Sequence, residues 1–481
     1  MDLKTVHIAG YKNLVDTRLT FETSETPITI IGNNGTGKSN LIEALLHIFV
    51  GLYYDRPPEF DFHIQYAAHN KTIEISNSVE TGRYKVIVDG TPLSNTRFKE
   101  WVREPNQMPP FPSQVFTYYS GTCDRVKNII KKYNRSYLYK LRRQSDDLER
   151  QFVFSDISQA EWIMLGLIAH QHHGLLKEMG IGELDALHLA IQPPENYVRD
   201  EDDPIFWGTE GGIREFLADI DNLALDRREP YAKYSWSHDR EMRLYLLETE
   251  QLEKIGSILE RRGTNLYSML QALSAKKILT DILFDVINRE DSAQYQTDSL
   301  SEGEKQLLCV IGGLTLSQNN ECLVLLDEPD THLNPAWSWR YDNLLKQALT
   351  SRQRTNSTTI IATHDPILIS GLTREQVFIA RIEGNQLLYE QPYRDPRGQG
   401  VANILVSEYF GLPSSLDENT QSLLDERLRL AYKSEALTDE DKERLSVINK
   451  QLEGLGLTIS FRDPAYKEFE EWKFRQAQGD V

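Results

Sequence analysis

Two acidic residues, Asp327 and Glu328, directly follow an unbroken apolar run from Cys322 to Leu326. A run of this length predicts a strand that is buried on both faces, with the two carboxylates at its carboxyl end. Open α/β sheets bind their ligands at that edge. Carboxylates placed there have the chemistry to hold a magnesium ion and to take a proton from a water molecule.

A phosphate-binding segment precedes this strand. Ser301, Glu302, Gly303 and Glu304 stand at the start of a predicted helix. The free backbone N–H groups at such a start attract phosphate groups. We therefore expect a phosphate and a metal ion to lie close together in one site.

A second phosphate-binding segment lies near the beginning of the chain, between the strand-like Ile28 to Ile31 and an apolar helix from Leu41 to Val50. Its pattern is G-x-x-x-x-G-K-S, and the strand, loop and helix context argues against a chance glycine loop. In such a P-loop, Lys38 reaches the β- and γ-phosphates and the Ser39 hydroxyl ligates Mg²⁺. The residues predicted to bind the nucleotide are Gly32, Asn33, Asn34, Gly35, Thr36, Gly37, Lys38, Ser39 and Asn40.

The P-loop gives the two acids separate roles. Asp327 is predicted to support the metal ion, usually through water, and Glu328 to polarise the attacking water as the general base. The chemistry predicted from these residues is therefore hydrolysis of a nucleoside triphosphate with Mg²⁺.

Five motifs in this order resemble the ABC-type ATPases, in the branch shared with SMC and RecF-like proteins. They are the P-loop, LSEGEKQ from Leu300, LLDEPD from Leu325, a D-loop from Asp330 to Pro335, and ATHD from Ala362, which puts His364 at the switch-histidine position. The resemblance implies an α/β fold, an ABC-type P-loop ATPase head in which a β-rich lobe adjoins a parallel-sheet core.

The same resemblance implies a site that two chains share. In that family the segment corresponding to Ser301 and Gly303 completes the nucleotide site of the other head, so two ATP molecules are held in a head-to-tail dimer. Lys38 would then face Ser301 across the interface, and His364 would contact the γ-phosphate. A Q-loop glutamine is also expected, with Gln65 and Gln114 as candidates.

One departure from the family pattern concerns the signature, which usually reads LSGGQ. Here Glu302 and Glu304 replace a glycine and the glutamine. An ordinary capping box, Ser301-x-x-Glu304, explains the same residues, and both interpretations can hold together. Two acids near a γ-phosphate would repel it, so slow hydrolysis or a purely ATP-sensing role is a credible outcome.

Composition limits the classes of partner. The 481 residues include 53 basic and 72 acidic ones, and the net charge of -19 disfavours broad DNA binding unless basic residues are concentrated in one patch. The stretch from Arg125 to Arg143 is such a patch, with Tyr133, Tyr137 and Tyr139 interleaved. It predicts either a surface for nucleic acid or a partner, or a solvated helix face that pairs with acids such as Asp146, Asp147 and Glu149.

Cysteine content and hydropathy limit the compartment. Cys123, Cys309 and Cys322 are too few and too scattered for a disulfide framework or a zinc site, and the last two are predicted to be core residues. The first residues contain no apolar signal region, and no apolar run reaches the ~20 residues that a membrane helix needs. We therefore expect a cytosolic protein with no membrane contact.

The elements that must position these residues suggest four segments. Residues 1–121 form the first part of the head, 122–290 a helical insertion, 291–395 the second part of the head, and 396–481 a helical module suited to partner or oligomer contact. From Glu241 to Arg262 apolar residues recur at helical spacing without a sustained heptad, which favours a compact insertion over a long rod. His170 to His173 is interpreted as a helix end, since carboxylates or cysteines at ligand spacing are missing.

Two further segments bear on function. The predicted hairpin of Val377 to Ile382 and Gln386 to Glu390 resembles the opening of a TOPRIM nuclease, but the later Asp-x-Asp is missing, so we expect no intrinsic nuclease. The sequences YYSG, FWGTEGG, GVANIL, FGLP and RDPAY resemble those of the ATPase family of Septu-type anti-phage systems. That resemblance implies self-assembly and a separate HNH nuclease subunit. The alternatives are a RecF-like repair ATPase that binds DNA by itself, and a structural ATP sensor with negligible turnover.

Overall fold

The computed structural model describes residues 1–23, 25–103, 110–121, 124–142, 150–194, 206–228, 242–288, 294–296, 300–317, 321–350, 357–384, 386–431, 433 and 437–457. The chain divides into two compact units between Gln399 and Gly400, close to the boundary expected between 395 and 396. Among the described residues, none of the helices combines the length and apolar character that crossing a membrane requires.

The described strands fall into three sheets. In chain order they are β1 (Asp2–Ala9), β2 (Thr17–Thr20), β3 (Ile28–Gly32), β4 (Asp61–Ala68), β5 (Lys71–Ser78), β6 (Arg83–Val88), β7 (Thr91–Leu93), β8 (Gln114–Tyr119), β9 (Phe152–Ser155), β10 (Ile181–Ile191), β11 (Asp226–Arg228), β12 (Arg243–Leu247), β13 (Leu279–Asn288), β14 (Gln294–Gln296), β15 (Cys322–Asp327), β16 (Thr358–Ala362), β17 (Val377–Glu383) and β18 (Gln386–Glu390).

The described helices before Gly400 belong to the first unit, together with the sheets, and those after it form the described part of the second unit. In chain order they are α1 (Lys38–Tyr54), α2 (Asn95–Arg103), α3 (Arg125–Arg142), α4 (Ala160–Ala169), α5 (His173–Glu178), α6 (Gly211–Leu223), α7 (Thr249–Arg261), α8 (Leu266–Ala275), α9 (Glu302–Leu307), α10 (Gly313–Leu316), α11 (Pro335–Thr350), α12 (Pro366–Ile369), α13 (Val401–Val406), α14 (Glu418–Ala431) and α15 (Asp439–Gly454).

The central sheet has seven strands in the order β18-β17-β3-β16-β15-β8-β9, parallel except for β18. Every residue of β15 and β16 is buried, as their apolar sequences require in a sheet covered on both faces. In this sheet β16 lies between β15 and β3, the strand that leads into the P-loop. The predicted α/β fold with a parallel-sheet core is confirmed.

The β-rich lobe is a six-stranded antiparallel sheet in the order β2-β1-β4-β5-β6-β7. Its core side chains alternate along each strand; on β4 these are Phe62, Ile64, Tyr66 and Ala68. The period of two that predicted this strand is therefore the period of burial. The lobe holds the turn from Gly10 to Leu14, which the backbone bond from Gly10 N to Leu14 O closes at 2.9 Å.

The expectation of a helical insertion from 122 to 290 is wrong for much of that range. β9 joins the central sheet, and the other strands form a five-stranded antiparallel sheet in the order β11-β12-β10-β13-β14. Ile282, Phe284 and Val286 on β13 are buried at a period of two, which is the pattern of a strand. Within the segment from Glu241 to Arg262, where helical spacing was expected, Met242 immediately precedes β12 and Tyr245 lies on it.

The helix that begins after Ser301 continues beyond α9 through a π-helical stretch, Leu308–Gly312, into α10. Glycines allow it to pack closely on α4: a Cβ at Gly312 would lie 2.8 Å from Ile163, and one at Gly166 would lie 2.6 Å from Leu316. Cys309 and Cys322 are buried core residues, as predicted. This packing joins the signature helix to the inserted region.

The second unit is helical over the residues described, 400–457. α14 and α15 form the predicted charged hairpin, with Ile448 and Leu452 buried between them. Arg444 donates two hydrogen bonds of 2.7 Å to the Glu426 carboxylate across this hairpin. The GVANIL sequence forms the turn into α13 and α13 itself, whereas the RDPAY sequence lies outside the described residues.

Candidate functional site

The P-loop closes tightly between β3 and α1. Gly37, with φ 85°, immediately precedes the first residue of α1, and a Cβ at Gly32 would lie 2.5 Å from the backbone oxygen of Ala380. Lys38 donates from Nζ to the backbone oxygens of Gly32 (2.6 Å) and Asn33 (3.3 Å). Burial lowers the pKa of Lys38, and the nearby acids Glu328 and Asp327 oppose that shift. The lysine therefore lies folded over the loop in which phosphates bind.

The predicted metal-binding pair is in contact. Ser39 Oγ donates a 3.0 Å hydrogen bond to Asp327 Oδ1, although 288 residues separate them. Burial raises the pKa of Asp327 to about 7, and the Ser39 hydrogen bond opposes that shift. Two hard oxygen donors, one of them on a buried carboxylate, fit the preference of Mg²⁺. Ser39 and Asp327 are thus the residues that would hold the ion.

The next residue, Glu328, is held in an unusual backbone conformation with φ 48°. Its N–H donates to the Ala362 oxygen at 2.8 Å, and its own carbonyl accepts a 3.2 Å bond from Gln306 Nε2. The side chain is 30% exposed, and its Oε1 lies 3.2 Å from His364 Nδ1. The predicted base and the predicted switch histidine are therefore neighbours, and both reach the solvent.

The D-loop is tied to the strand that carries His364. Thr363 Oγ1 donates a 2.6 Å bond to Asp330 Oδ2. Burial raises the pKa of Asp330 to about 6, and the Thr363 hydrogen bond opposes that shift. The backbone N–H of Leu333 closes the loop on the Asp330 oxygen at 2.9 Å. These bonds hold the carboxyl ends of β15 and β16 together next to Asp327 and Glu328.

The signature segment forms the capping box that its sequence predicted. Ser301 Oγ donates to Glu304 Oε2 at 2.7 Å, and Glu304 N donates to Ser301 Oγ at 3.3 Å. Glu302 Oε2 lies 3.3 Å from His332 Nδ1 in the D-loop. A Cβ at Gly303 would lie 2.5 Å from the His332 oxygen, so only glycine allows this approach. Both acids that depart from the family pattern therefore have partners within the chain.

Two residues of the site were not predicted from the sequence. Gln306 is completely buried, donating to the Glu328 oxygen and accepting from His332 N at 3.1 Å. Asn13 lies against the P-loop, donating to the Gly35 oxygen at 3.4 Å. The only sequence signal for Gln306 is its place at the end of LSEGEKQ, and Asn13 has none, since its role depends on how the lobe folds against the loop.

The two Q-loop candidates lie elsewhere. β8 and β15 are parallel, with Gln114 opposite Cys322 and Tyr119 opposite Asp327, so Gln114 is at the end of the strand away from the site. Gln65 lies on β4 in the antiparallel sheet. The residue that follows β8 next to the site is Ser120, whose N–H donates to the Asp327 oxygen at 3.3 Å.

The basic stretch forms α3, but its aromatic residues do not make a stacking platform. Tyr133 and Tyr137 are buried, whereas Tyr139 is exposed. Lys127 Nζ lies 3.0 Å from Asp156 Oδ2, as expected of a helix face that pairs with acids. Arg143 and the acids Asp146, Asp147 and Glu149 lie outside the described residues. Tyr133 and Tyr137 are therefore not accessible for stacking on nucleic-acid bases.

Comparisons with known proteins agree on an ATPase domain. Residues 201–370 match the family described as AAA domain, putative AbiEii toxin, Type IV TA system. The chain is 22% identical to the Retron Ec83 probable ATPase of Escherichia coli, covering 93% of this chain and 83% of that protein. It is 22% identical to the Retron Vc95 probable ATPase of Vibrio cholerae serotype O1 biovar El Tor, covering 92% and 84%.

A shorter match is to a Septu protein. It is 25% identical over 190 residues to the Septu protein PtuA of Bacillus mycoides (strain KBAB4), which covers 37% of this chain and only 26% of that protein. Among solved structures, an Smc head bound to the C-winged helix domain of ScpA aligns with 82% of this chain and 98% of its own, at 13% identity and a TM-score of 0.37.

Proposed function

We propose that this chain, which is similar to the SMC- and RecF-like ABC-type ATPases, hydrolyses ATP in a site that a second copy of the chain completes. The observation that carries the proposal is the contact between Ser39 and Asp327, which joins the P-loop to the acidic strand end. Glu328 and His364 stand beside that contact. Phosphate binding, metal binding and proton transfer are thereby available at one edge of the central sheet.

The chain's own groups divide the work. The P-loop amides and the Lys38 ammonium bind the β- and γ-phosphates. Ser39 and Asp327 would hold Mg²⁺, which would offset phosphate charge. Glu328 accepts the proton of the attacking water, and His364 contacts the γ-phosphate. Because its N–H and its carbonyl are both hydrogen-bonded, Glu328 is fixed in position before the substrate arrives, which lowers the cost of orientation.

A second copy is proposed because the signature segment is presented outward. Ser301 is exposed, and Gly303 packs on the D-loop backbone rather than on the P-loop of its own chain. Ser301 and Gly303 of one chain would therefore complete the site built on Lys38 of the other. Since nucleotide binds chiefly to the paired form, its presence shifts the population toward that form.

The biological role that we propose is that of a nucleotide-controlled scaffold for an HNH nuclease subunit, PtuB-like, in anti-phage defence. Similarity to a Septu protein and to two retron ATPases supports this assignment. DNA would be contacted through the nuclease or through α3, where Lys131, Lys132 and Arg135 are exposed. Purification of the chain from cells that express it with such a nuclease tests the pairing, and failure to co-purify at any nucleotide condition would contradict it.

Replacement of Glu328 by glutamine tests the catalytic assignment. The amide keeps the shape of the side chain but cannot accept the proton, so Glu328→Gln should retain ATP while hydrolysis falls by about a hundredfold or more. Phosphate release and calorimetric ATP binding measure the two effects. Lys38→Ala should instead lose binding. Normal turnover by Glu328→Gln would remove its role as the base.

A second candidate function is ATP sensing with negligible turnover, and the bond from Ser301 to Glu304 favours it. This carboxylate occupies the serine hydroxyl and places negative charge where the neighbouring γ-phosphate would lie. Sensing is supported if ATP fixes the oligomeric state while phosphate release stays at background in the wild-type chain. A nucleotide-dependent gel shift of DNA by the chain alone would instead favour the repair-type alternative.

A further inference from the structure

Glu43 is a buried carboxylate on the face of α1 that is turned toward the β-rich lobe. It is 2% exposed. Its Oε2 accepts a 3.0 Å hydrogen bond from Tyr11 Oη and a second one from Lys12 Nζ. Among the described residues, its Oε1 has no hydrogen-bond partner, but it lies 3.9 Å from Arg125 Nη1 at the start of α3. Three separate segments thus meet at one negative charge.

The contacts continue from this charge to the P-loop. Lys12 Nζ also donates to Asn40 Oδ1 at 3.3 Å, and Asn40 Nδ2 donates to Asn13 Oδ1 at 2.6 Å. Asn13 Nδ2 in turn donates to the Gly35 oxygen. A Cβ at Gly37 would lie 2.7 Å from both Nδ2 and Oδ1 of Asn13. Asn13 is therefore pressed against the loop whose amides bind phosphate.

The arrangement is not what stability alone requires. A charge taken out of water is costly, and buried ion pairs often contribute less than apolar residues of the same volume would. A buried carboxylate is therefore weak evidence of a stabilising role. Here the carboxylate fixes Tyr11 and Lys12, and through them the turn that carries Asn13. Burial and the neighbouring Glu43 also raise the pKa of Tyr11, which keeps its hydroxyl as a donor.

We propose that Glu43 is a positioning residue for nucleotide binding: it anchors the turn from Tyr11 to Asn13 on α1, and Asn13 then holds Gly35 and Gly37 in the conformation that cradles phosphates. The proposal rests on the ATP-binding function proposed above.

A double-mutant cycle of Glu43→Gln and Asn13→Ala tests the proposal in the full-length chain. Each single change should weaken ATP binding by about tenfold, because Glu43→Gln removes the charge that holds Lys12 and Asn13→Ala removes the side chain that bonds to the loop. The ATP affinity of the double variant should lie within about twofold of that of the weaker-binding single variant, because both substitutions act through the same contacts. Turnover at saturating ATP should stay within about twofold of the wild type, so that the effect falls on KM.

Asp55→Asn is the matched control. Asp55 caps the other end of α1 with φ 51° and pairs with Lys99 at 2.7 Å, and asparagine tolerates that backbone conformation. This variant removes an acid paired with a lysine from the same helix without touching the turn from Tyr11 to Asn13. It should leave ATP affinity unchanged.

Hydrogen exchange separates this proposal from the function on which it rests. In nucleotide-free protein, amides of residues 32–41 should exchange faster in Glu43→Gln than in the wild type, and at the wild-type rate in Asp55→Asn. If the wild type takes up no ATP, the proposed function fails, and exchange alone decides the positioning role. Unchanged exchange at the P-loop, additive losses in the cycle, or a lowered Tm with unchanged KM would each overturn the proposal.

Discussion

At the scale of single residues, Gln306 connects the signature helix to the catalytic strand end. Its amide bonds to the Glu328 oxygen and to His332 N, so one side chain sets the position of the base and of the D-loop. Glu328 depends on this support because a non-glycine residue at φ 48° is strained and is held only by its surroundings.

Gln306→Leu should lower the rate of hydrolysis more than tenfold with little change in ATP affinity, because the P-loop keeps its contacts while Glu328 loses one. The His332 N–H loses its acceptor, at a cost of about 1–3 kcal/mol in the free energy of unfolding, whereas the Glu328 oxygen keeps its 3.0 Å bond from Thr331 Oγ1. Single-turnover phosphate release, ATP binding and urea unfolding measure the three quantities.

Gln376→Leu serves as the control, since Gln376 is also buried and bonds to the Pro27 oxygen and to Thr373 N, at 3.1 Å each. It should destabilise the chain without slowing hydrolysis. Equal loss of turnover in both variants would mean that Gln306 acts through stability alone.

The sequence alone could indicate those site residues that belong to a local pattern. Lys38 and Ser39 belong to a loop that follows a strand, and Asp327 is an acid at the end of a strand. Each pattern includes the neighbouring structure that its predicted role requires. Asn13 and Gln306 could not be found this way, because their partners are brought to them by the packing of distant segments. Gln114 failed for a related reason: its place at the amino end of β8 becomes visible only with the strand register.

At the scale of elements, the signature helix shows how a cap can compete with function. The capping box stabilises the start of α9, but it commits the Ser301 hydroxyl to Glu304. A phosphate group from a second chain would have to displace that bond and meet the carboxylate's charge. The two departures from the family signature therefore predict a slow enzyme.

Glu304→Gln should raise the hydrolysis rate severalfold, because it removes the charge while keeping a side chain that can cap the helix. Steady-state phosphate release measures the change. The same substitution type at the capping box of α15, Asp441→Asn, provides a control, since Asp441 N bonds to Thr438 Oγ1 at 3.2 Å in that box. A slower Glu304→Gln enzyme would show that the acid assists hydrolysis.

The inserted region shows why its strands were not predicted. On β10 the pairing with β13 shifts register at three places, and each shift interrupts the alternation of apolar and polar residues. Ile181, Leu184, Leu187 and Ile191 are buried, at spacings of three or four residues that a helix also produces. β4 contains no such shift against β5, and its strand was predicted correctly.

At the scale of the whole molecule, two chains that each carry a net charge of -19 must come together around anionic nucleotide. Lys38 and the metal ion offset part of that charge only where the site is complete. Pairing is therefore expected to depend on ATP with Mg²⁺, and the complete site is expected to contain groups from both chains.

Complementation between two inactive variants tests this central claim most directly. Lys38→Ala removes phosphate binding, and Ser301→Arg blocks the exposed signature; each alone should be inactive. An equal mixture should recover about a quarter of the wild-type hydrolysis, because half of the randomly formed dimers are mixed and each of these has one intact site. An inactive mixture, although both variants fold normally and the mixture forms dimers with ATP, would contradict a site shared between two chains.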